Sequence, residues 1–203
     1  MPHDERVSPR LKEALSLAVD LHGNDTRKQS PVPLLAHLLG VCALVQHDGG
    51  DEDEAVAALL HDALEDKPEL ISLADIEVRF GSRVAAIVAV ATDTPTGFSG
   101  GPKPPWRQRK DRYLEQIRSA DPSLLRVTVA DKIDNLRAIL ADYRRIGEPF
   151  WLRFNAPKAD QLWYYRAALD AYTGSGFTGS LLDELERLVR LLEVAASTPA
   201  EKS

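Results

Sequence analysis

The segment Ala55–Asp66 reads AVAALLHDALED, and its composition indicates how the chain folds. Every position from 55 to 64 is apolar except His61 and Asp62. A helix that is apolar nearly all round is normally buried at the centre of its domain. Asp51 and Glu54 precede it at the spacing of a capping box, in which each side chain accepts from the other residue's backbone N–H. The sequence therefore predicts a central buried helix that opens after Asp51.

The segments on either side show the same helical spacing of apolar residues, and no run shows a convincing strand alternation. Ser8 and Pro9 suit the cap and first position of an N-terminal helix, which Gly23 ends. Further helices are predicted over 34–45, over 72–80, up to Ala91, from Trp106, from Asp121-Pro122 to Gly147, over 157–173 and over 181–192. The predicted fold class is all-α, with a single domain over 1–203 formed by a bundle of about 8–10 helices. Its core is expected over about 8–173, with a C-terminal helical extension over about 174–196.

The composition is that of an ordinary soluble globular protein. The chain has 203 residues and a formal net charge of −6, which argues against broad contact with nucleic acid or an anionic membrane. The polar N-terminus lacks the apolar core of a secretory signal, and the longest apolar run, 84–91, is too short to span a bilayer. The single cysteine, Cys42, is expected to be a buried, inert thiol. These features predict a cytoplasmic protein with no nucleic-acid or membrane partner.

A loop rich in glycine and proline, TPTGFSGGPKPP at 94–105, interrupts the helical pattern. The helix after it carries a basic set from Arg107 to Arg112, interpreted either as a solvated face or as a gate for a polyphosphate. Four aromatic side chains are expected to lie in the core rather than to form a shelf for a nucleotide base: Trp151, Trp163, Tyr164 and Tyr165.

Polar side chains crowd the end of the central helix. On a continuous helix His61 and Glu65 lie one turn apart, and so do Asp62 and Asp66. Burying three carboxylates and an imidazole without partners is costly, and a divalent metal ion would neutralise them. Such an ion lowers the pKa of a bound water and makes hydroxide available near neutral pH.

Two further residues are candidate ligands because each lies on a helix that otherwise buries its face. They are His37 on the second helix and Asp131 on the long helix. Alone, His37 is more often a hydrogen-bonded core histidine, and Asp131 a partner for Lys132 or Arg137. Together with His61 and Asp62, they form a set of two imidazoles and two carboxylates. That set suits Mn, Fe, Co, Ni or Zn.

The chain resembles the HD-domain phosphohydrolases, and within them the hydrolase domain of RelA/SpoT-type enzymes and the single-domain small alarmone hydrolases. The resemblance covers roughly residues 10–170 and implies an HD-type helical fold. The run HDxxED with a later ADKxxNxR is more specific than the HD pair alone. The matching pieces, in family order, are Arg27-Lys28, HLLGV at 37–41, AALLHDALED at 57–66, FG at 80–81, TD at 92–93 and VADKIDNLR at 129–137.

The resemblance implies hydrolysis of the 3′-pyrophosphate of (p)ppGpp-like nucleotides with a manganese ion. Carried over by position, the metal ligands are His37, His61, Asp62 and Asp131. Glu65 and Asp66 would orient or deprotonate the attacking water and handle the proton at the leaving oxygen. The substrate-binding candidates are Arg27 and Lys28 for phosphate oxygens, Asn135 for the nucleotide and Lys158 for a further phosphate.

The sequence leaves the exact substrate and the oligomeric state open. Leu34 and Leu38 stand where family hydrolases commonly have Tyr and Pro, and that Tyr helps to hold the nucleoside. A ppApp-type alarmone, NADPH or a nucleoside phosphate therefore remains an alternative substrate. A non-catalytic nucleotide sensor is a third reading. The intact Glu65 and Asp66 argue against it, since two carboxylates beside the metal would repel an anionic ligand.

Overall fold

A computed structural model describes residues 7–27, 30–93 and 104–197, and within them the protein is helical. These residues form ten α-helices and two short 3-10 helices. Across those ranges, β pairing is limited to one isolated antiparallel bridge between Thr26 and Pro33. The predicted all-α fold class is confirmed.

Six helices lie in the first of two compact units, residues 1–101. They are α1 (Pro9–His22), α2 (Leu34–His47), α3 (Glu52–Leu60), α4 (Ala63–Asp66), α5 (Leu73–Phe80) and α6 (Ser82–Ala91). Helix α3 packs against α1, α2 and α6, and α5 packs against α6. Every residue from Glu54 to Leu60 is buried, so α3 is the central helix of this unit, as predicted.

Local hydrogen bonds fix where these helices begin. Ser8 Oγ accepts from the backbone N–H of Leu11 at 3.0 Å and caps α1. Asp51 and Glu54 form the predicted capping box, with reciprocal bonds of 3.0 and 2.9 Å. Gly81 separates α5 from α6 at a φ of +94°, a backbone conformation that side-chain-bearing residues rarely adopt.

The predicted helix over 55–64 is wrong at its end, because α3 stops at Leu60 and α4 starts at Ala63. The ring Nδ1 of His61 lies 2.7 Å from the carbonyl oxygen of Ala58. This carbonyl therefore accepts from a side chain, whereas in a continuous helix it would accept from a backbone N–H of the next turn. The backbone N–H groups of Glu65 and Asp66 both donate to the carbonyl of Asp62, at 3.1 and 3.0 Å. The one-turn spacing of Asp62 and Asp66 survives, whereas that of His61 and Glu65 is replaced by a tight turn.

The second unit, residues 102–203, holds the other four α-helices. They are α7 (Trp106–Ser119), α8 (Arg126–Ile146), α9 (Lys158–Ser175) and α10 (Ser180–Ser197). Helix α8 packs against α10, and α9 packs against α7 and α10. The prediction that Asp121-Pro122 opens the long helix is wrong. Asp121 caps the 3-10 helix Pro122–Leu124, and α8 begins only at Arg126.

Most of the predicted core side chains are buried. Cys42 is buried, and burial raises the pKa of its thiol, as expected for an inert cysteine. Trp151, Tyr164 and Tyr165 are also buried. The prediction that Trp163 lies in the core is wrong, since Trp163 is only half-buried. The guanidinium of Arg107 lies 3.2 Å from its ring centre. None of the described helices is both long enough and apolar enough to cross a membrane.

Candidate metal centre

Two buried imidazoles from neighbouring helices lie together in the first unit. His37 lies near the start of α2, and His61 directly follows the last residue of α3. The two residues are 4% and 2% exposed. The ring centres are 5.1 Å apart, with the ring planes at 71°. Because α2 packs against α3, two residues distant in sequence become neighbours.

The carboxylate of Asp62 faces both rings. One of its oxygens lies 3.4 Å from Nε2 of His61, and the other lies 3.7 Å from Nε2 of His37. These separations exceed a normal hydrogen bond. Two donor atoms about 2.1 Å from one ion lie about 3–3.5 Å apart when they occupy adjacent positions around it. One candidate ligand atom from each of His37, His61 and Asp62 lies within 4.8 Å of the others, so the set is compact enough to hold one cation.

The hydrogen bond of His61 fixes its tautomer. A backbone carbonyl only accepts, so the Nδ1 that lies 2.7 Å from the Ala58 oxygen carries the proton. In the neutral ring the lone pair is then on Nε2, the atom that faces Asp62. Metal-ligating histidines characteristically donate their other ring N–H to a carbonyl or carboxylate, and His61 has that arrangement. The donor set of imidazole nitrogens and a carboxylate fits a borderline divalent ion.

Glu65 and Asp66 follow this cluster on α4. Glu65 is half-buried and Asp66 is exposed. The bond from the backbone N–H of Asp66 to the carbonyl of Asp62 places these two residues one turn apart. A carboxylate within one turn of a ligand is placed to exchange a proton with a nearby water.

The predicted phosphate-binding pair is only partly described. Arg27 is half-buried in the loop between α1 and α2. Its backbone N–H donates to the carbonyl of Val32 at 2.8 Å, and its own carbonyl accepts from the N–H of Ser30 at 2.9 Å. Lys28 lies outside the described residues, as do residues 94–103 of the glycine- and proline-rich loop.

Asp131 and Asn135 lie together on α8 in the second unit. Asp131 is 7% exposed. One of its carboxylate oxygens accepts from Nζ of Lys132 and the other from Nδ2 of Asn135, each at 2.5 Å. Burial alone would lower the pKa of Lys132, but the Asp131 carboxylate beside it raises that pKa well above its usual value. Asn135 thus faces Asp131, in keeping with their spacing of one helical turn.

Lys158 opens α9, and its ammonium group lies 2.7 Å from the carboxylate of Glu148. The hydroxyl of Tyr143 donates to the same carboxylate oxygen at 2.5 Å. The Lys158 and Tyr143 hydrogen bonds hold the pKa of Glu148 below its ordinary value. Of the predicted site residues, the structure therefore brings together His37, His61 and Asp62 in one unit and Asp131 and Asn135 in the other.

Sequence reasoning missed an ion pair between Asp25 and Lys67, whose nearest atoms are 2.9 Å apart. Asp25 lies two residues before Arg27, and Lys67 directly follows Asp66. In the sequence, the signal for these two residues is that each lies close to a predicted site residue. The pairing itself spans 42 positions and depends on the fold.

Comparisons with known proteins identify the family. The HD domain family model matches residues 14–147. The chain is 32% identical over 176 residues to guanosine-3′,5′-bis(diphosphate) 3′-pyrophosphohydrolase MESH1 of Xenopus tropicalis, which covers 85% of this chain and 88% of that protein. The matched region includes both His61 and Asp62.

Two solved structures share the architecture. The protein lmo0812 of Listeria monocytogenes EGD-e aligns with a TM-score of 0.65 at 32% identity, over 77% of this chain and 97% of that chain. A metazoan orthologue of SpoT that hydrolyses ppGpp aligns with a TM-score of 0.70 over 91% of this chain and 96% of that chain. At 24% identity, the second likeness shows the fold. With a family match over more than half of its length, this chain belongs to the HD domain family.

Proposed function

We propose that this protein is a metal-dependent phosphohydrolase that removes the 3′-pyrophosphate from (p)ppGpp-like nucleotides. The observation that carries the proposal is the compact cluster of His37, His61 and Asp62, whose ligand atoms lie within 4.8 Å of one another. Glu65 and Asp66 follow that cluster within one turn. The Xenopus relative, which is named for this reaction, aligns over most of both chains and supports the choice of substrate class.

The proposed cofactor is a divalent ion, which we take to be Mn²⁺, held by His37, His61, Asp62 and Asp131. When bound, such an ion supplies positive charge at the phosphoryl oxygens and makes water more acidic near neutral pH. Support for Asp131 comes from its position in VADKIDNLR and from its burial. Its hydrogen bonds from Lys132 and Asn135 hold the carboxylate in one orientation.

The proton chemistry falls to Glu65 and Asp66. The oxygen of a water adds to the phosphorus that is attached to the 3′ oxygen, and the bond from that phosphorus to the 3′ oxygen breaks. Pyrophosphate leaves, and one proton passes from the water to the 3′ oxygen. A carboxylate takes that proton as general base and returns it as general acid, so the pair is regenerated after each turnover.

The basic residues complete the proposed substrate site. Arg27 and Lys28 would bind phosphate oxygens, since guanidinium and ammonium groups form strong charge-assisted hydrogen bonds. Asn135 would bind the nucleotide. Lys158 would bind a further phosphate, which must compete with Glu148 for the Lys158 ammonium group.

A second candidate function is hydrolysis of a different nucleotide by the same chemistry. Leu34 opens α2 and is half-buried, and Leu38 is fully buried. Leu34 has no hydroxyl to bind a nucleoside where family hydrolases have Tyr. This difference favours an alternative substrate such as a ppApp-type alarmone, NADPH or a nucleoside phosphate.

A substrate panel separates these candidates. Purified protein is incubated with Mn²⁺ and ppGpp, pppGpp, ppApp, NADPH or simple nucleotides, and release of phosphate and of pyrophosphate is measured. Pyrophosphate from a 3′-modified guanine nucleotide supports the first proposal. Single phosphates from the other nucleotides, with the alarmones untouched, would move the function to a general nucleotide phosphatase.

We also infer that residues 1–203 act as one HD domain in the cytoplasm. The family match over 14–147 includes helices of both units, which supports a single functional domain. The buried, single cysteine is the feature that supports a reducing compartment.

A further inference from the structure

Asp25 lies at the base of the loop that carries Arg27. We call residues 23–27 and 30–33 the Arg27 loop. The backbone N–H of Asp25 donates to the carbonyl of His22 at 3.0 Å, and its carbonyl accepts from the N–H of Leu34 at 2.9 Å. The backbone of Asp25 therefore joins the end of α1 to the start of α2.

The side chain of Asp25 makes two further links. Its carboxylate accepts from Nδ1 of His22 at 3.0 Å. Its oxygens lie 2.9 and 3.2 Å from Nζ of Lys67, the residue that directly follows α4. Hydrogen bonds from Lys67 and His22 lower the pKa of Asp25, so the carboxylate is ionised at neutral pH.

We propose that Asp25 is a positioning residue, which holds the Arg27 loop in register with the turn that carries Glu65 and Asp66. The inference rests on the proposed function, because it assigns Asp25 a role in arranging the residues of that reaction. The geometry behind it is that one carboxylate contacts the ends of two helices. Asp25 lies two residues before Arg27, and its partner Lys67 lies one residue after Asp66.

A purely stabilising role would leave a different signature. Ion pairs that are partly exposed contribute little to global stability, and the side chains of Asp25 and Lys67 are 32% and 23% exposed. The partner of Asp25 on α1 is fixed, because His22 is only 1% exposed and cannot follow a shifted loop without disturbing the core. Loss of the Asp25 carboxylate would also take an ion-pair partner from the ammonium group of Lys67, the residue next to Asp66. Substitution of Asp25 should therefore disturb catalysis more than folding.

The test compares Asp25→Asn, Lys67→Met, Lys67→Arg and the double variant of Asp25→Asn with Lys67→Met. Glu13→Gln is the matched control, because Glu13 pairs with Arg79 at 3.1 Å in the same unit, over a long sequence separation. Steady-state kinetics, bound metal per chain, melting temperature and hydrogen exchange at the backbone amides of Arg27 and Leu34 are measured for each.

The expected kinetic result is a fall in kcat/KM of about tenfold for Asp25→Asn, since small misplacements of reacting groups are costly. Bound metal and melting temperature should stay close to those of the control. Lys67→Arg should retain the wild-type rate, and the double variant should be no slower than Asp25→Asn. Wild-type kinetics in Asp25→Asn would overturn the proposal.

Hydrogen exchange separates this proposal from the proposed function. If the wild-type protein hydrolyses none of the nucleotides, the proposed function fails on that result alone. Faster exchange at Arg27 and Leu34 in Asp25→Asn, but not in Glu13→Gln, still supports the positioning role of Asp25. Unchanged protection at both amides would refute it whatever the activity.

Discussion

Replacement of Asp62 by alanine should remove most of the stabilisation of this protein by a divalent metal ion. Asp62 supplies the carboxylate of the three-residue cluster and faces both imidazoles, at 3.4 and 3.7 Å. Without it, two imidazoles remain of the three-residue cluster to hold a dication. The folded chain should tolerate the change, because the Asp62 side chain is 27% exposed and the adjacent His61 keeps its bond to Ala58.

The size of the effect follows from binding linkage. Metal at about 100 times its Kd raises the free energy of unfolding by about 2.7 kcal/mol. In a chain of this length, each kcal/mol moves the melting temperature by about 2–4 °C, so the wild-type protein should gain about 5–10 °C. Loss of a ligand should weaken binding by at least about 100-fold, the upper end of the loss caused by removing a ligand's supporting hydrogen bond. The same metal concentration then equals the Kd of the variant. The metal-dependent gain in the free energy of unfolding falls to about 0.4 kcal/mol, which corresponds to about 1 °C in melting temperature.

The assay is thermal unfolding of chelator-treated protein with and without Mn²⁺, together with metal content per chain by mass spectrometry. Asp20→Ala is the control, because Asp20 is an exposed carboxylate on α1. It should keep the full metal-dependent shift. A metal-dependent shift in Asp62→Ala as large as that of the wild type would refute the assignment of Asp62 as a ligand.

Three further predictions concern catalysis, helix capping and pH. Glu65→Gln should retain bound metal but lose about 100-fold or more in turnover, and a rate within a few-fold of wild type would remove Glu65 from the mechanism. Ser8→Ala, which loses the cap bond to Leu11, should cost about 1 kcal/mol in thermal or urea unfolding, whereas Ser16→Ala on the same helix should not. The folded pKa of Asp25 lies below its ordinary value of 3.8, so its contribution to stability is present above that pH and is lost as the pH falls through the folded value. The partly exposed ion pair contributes at most about 1 kcal/mol, so the wild type should melt no more than about 2–4 °C above Asp25→Asn at pH 7. This small difference should narrow below about pH 4, and a difference that persists unchanged would contradict the reasoning.

Much of the fold could be predicted from the sequence because its signals are local. The capping box of Asp51 with Glu54 and the cap at Ser8 depend on residues within three positions of each other. The all-apolar surface of α3 predicted its central position, and the structure buries it as expected. The HD run and its neighbouring carboxylates also predicted His61 and Asp62 as candidate metal ligands.

Two features became clear only in the structure: where the central helix ends and how far Trp163 is buried. The helix breaks after Leu60, because the His61 ring takes the Ala58 carbonyl. Trp163 is only half-buried, and the guanidinium of Arg107, on α7, lies over its ring. The Arg107 contact depends on which helix faces meet, and the His61 contact depends on how that ring is oriented at the end of α3. The apolar periodicity of a single helix specifies neither.

The sequence by itself determined the all-helical fold class, the main helix boundaries and the residue types of a divalent-metal hydrolase, because helix caps, apolar periodicity and ligand chemistry are properties of short segments. Only the tertiary structure decided that His37 lies against His61 and that Asp25 pairs with Lys67 across 42 positions. Both contacts arise where separate helix ends meet, and that meeting is set by burial of apolar faces over the whole unit rather than by any local motif.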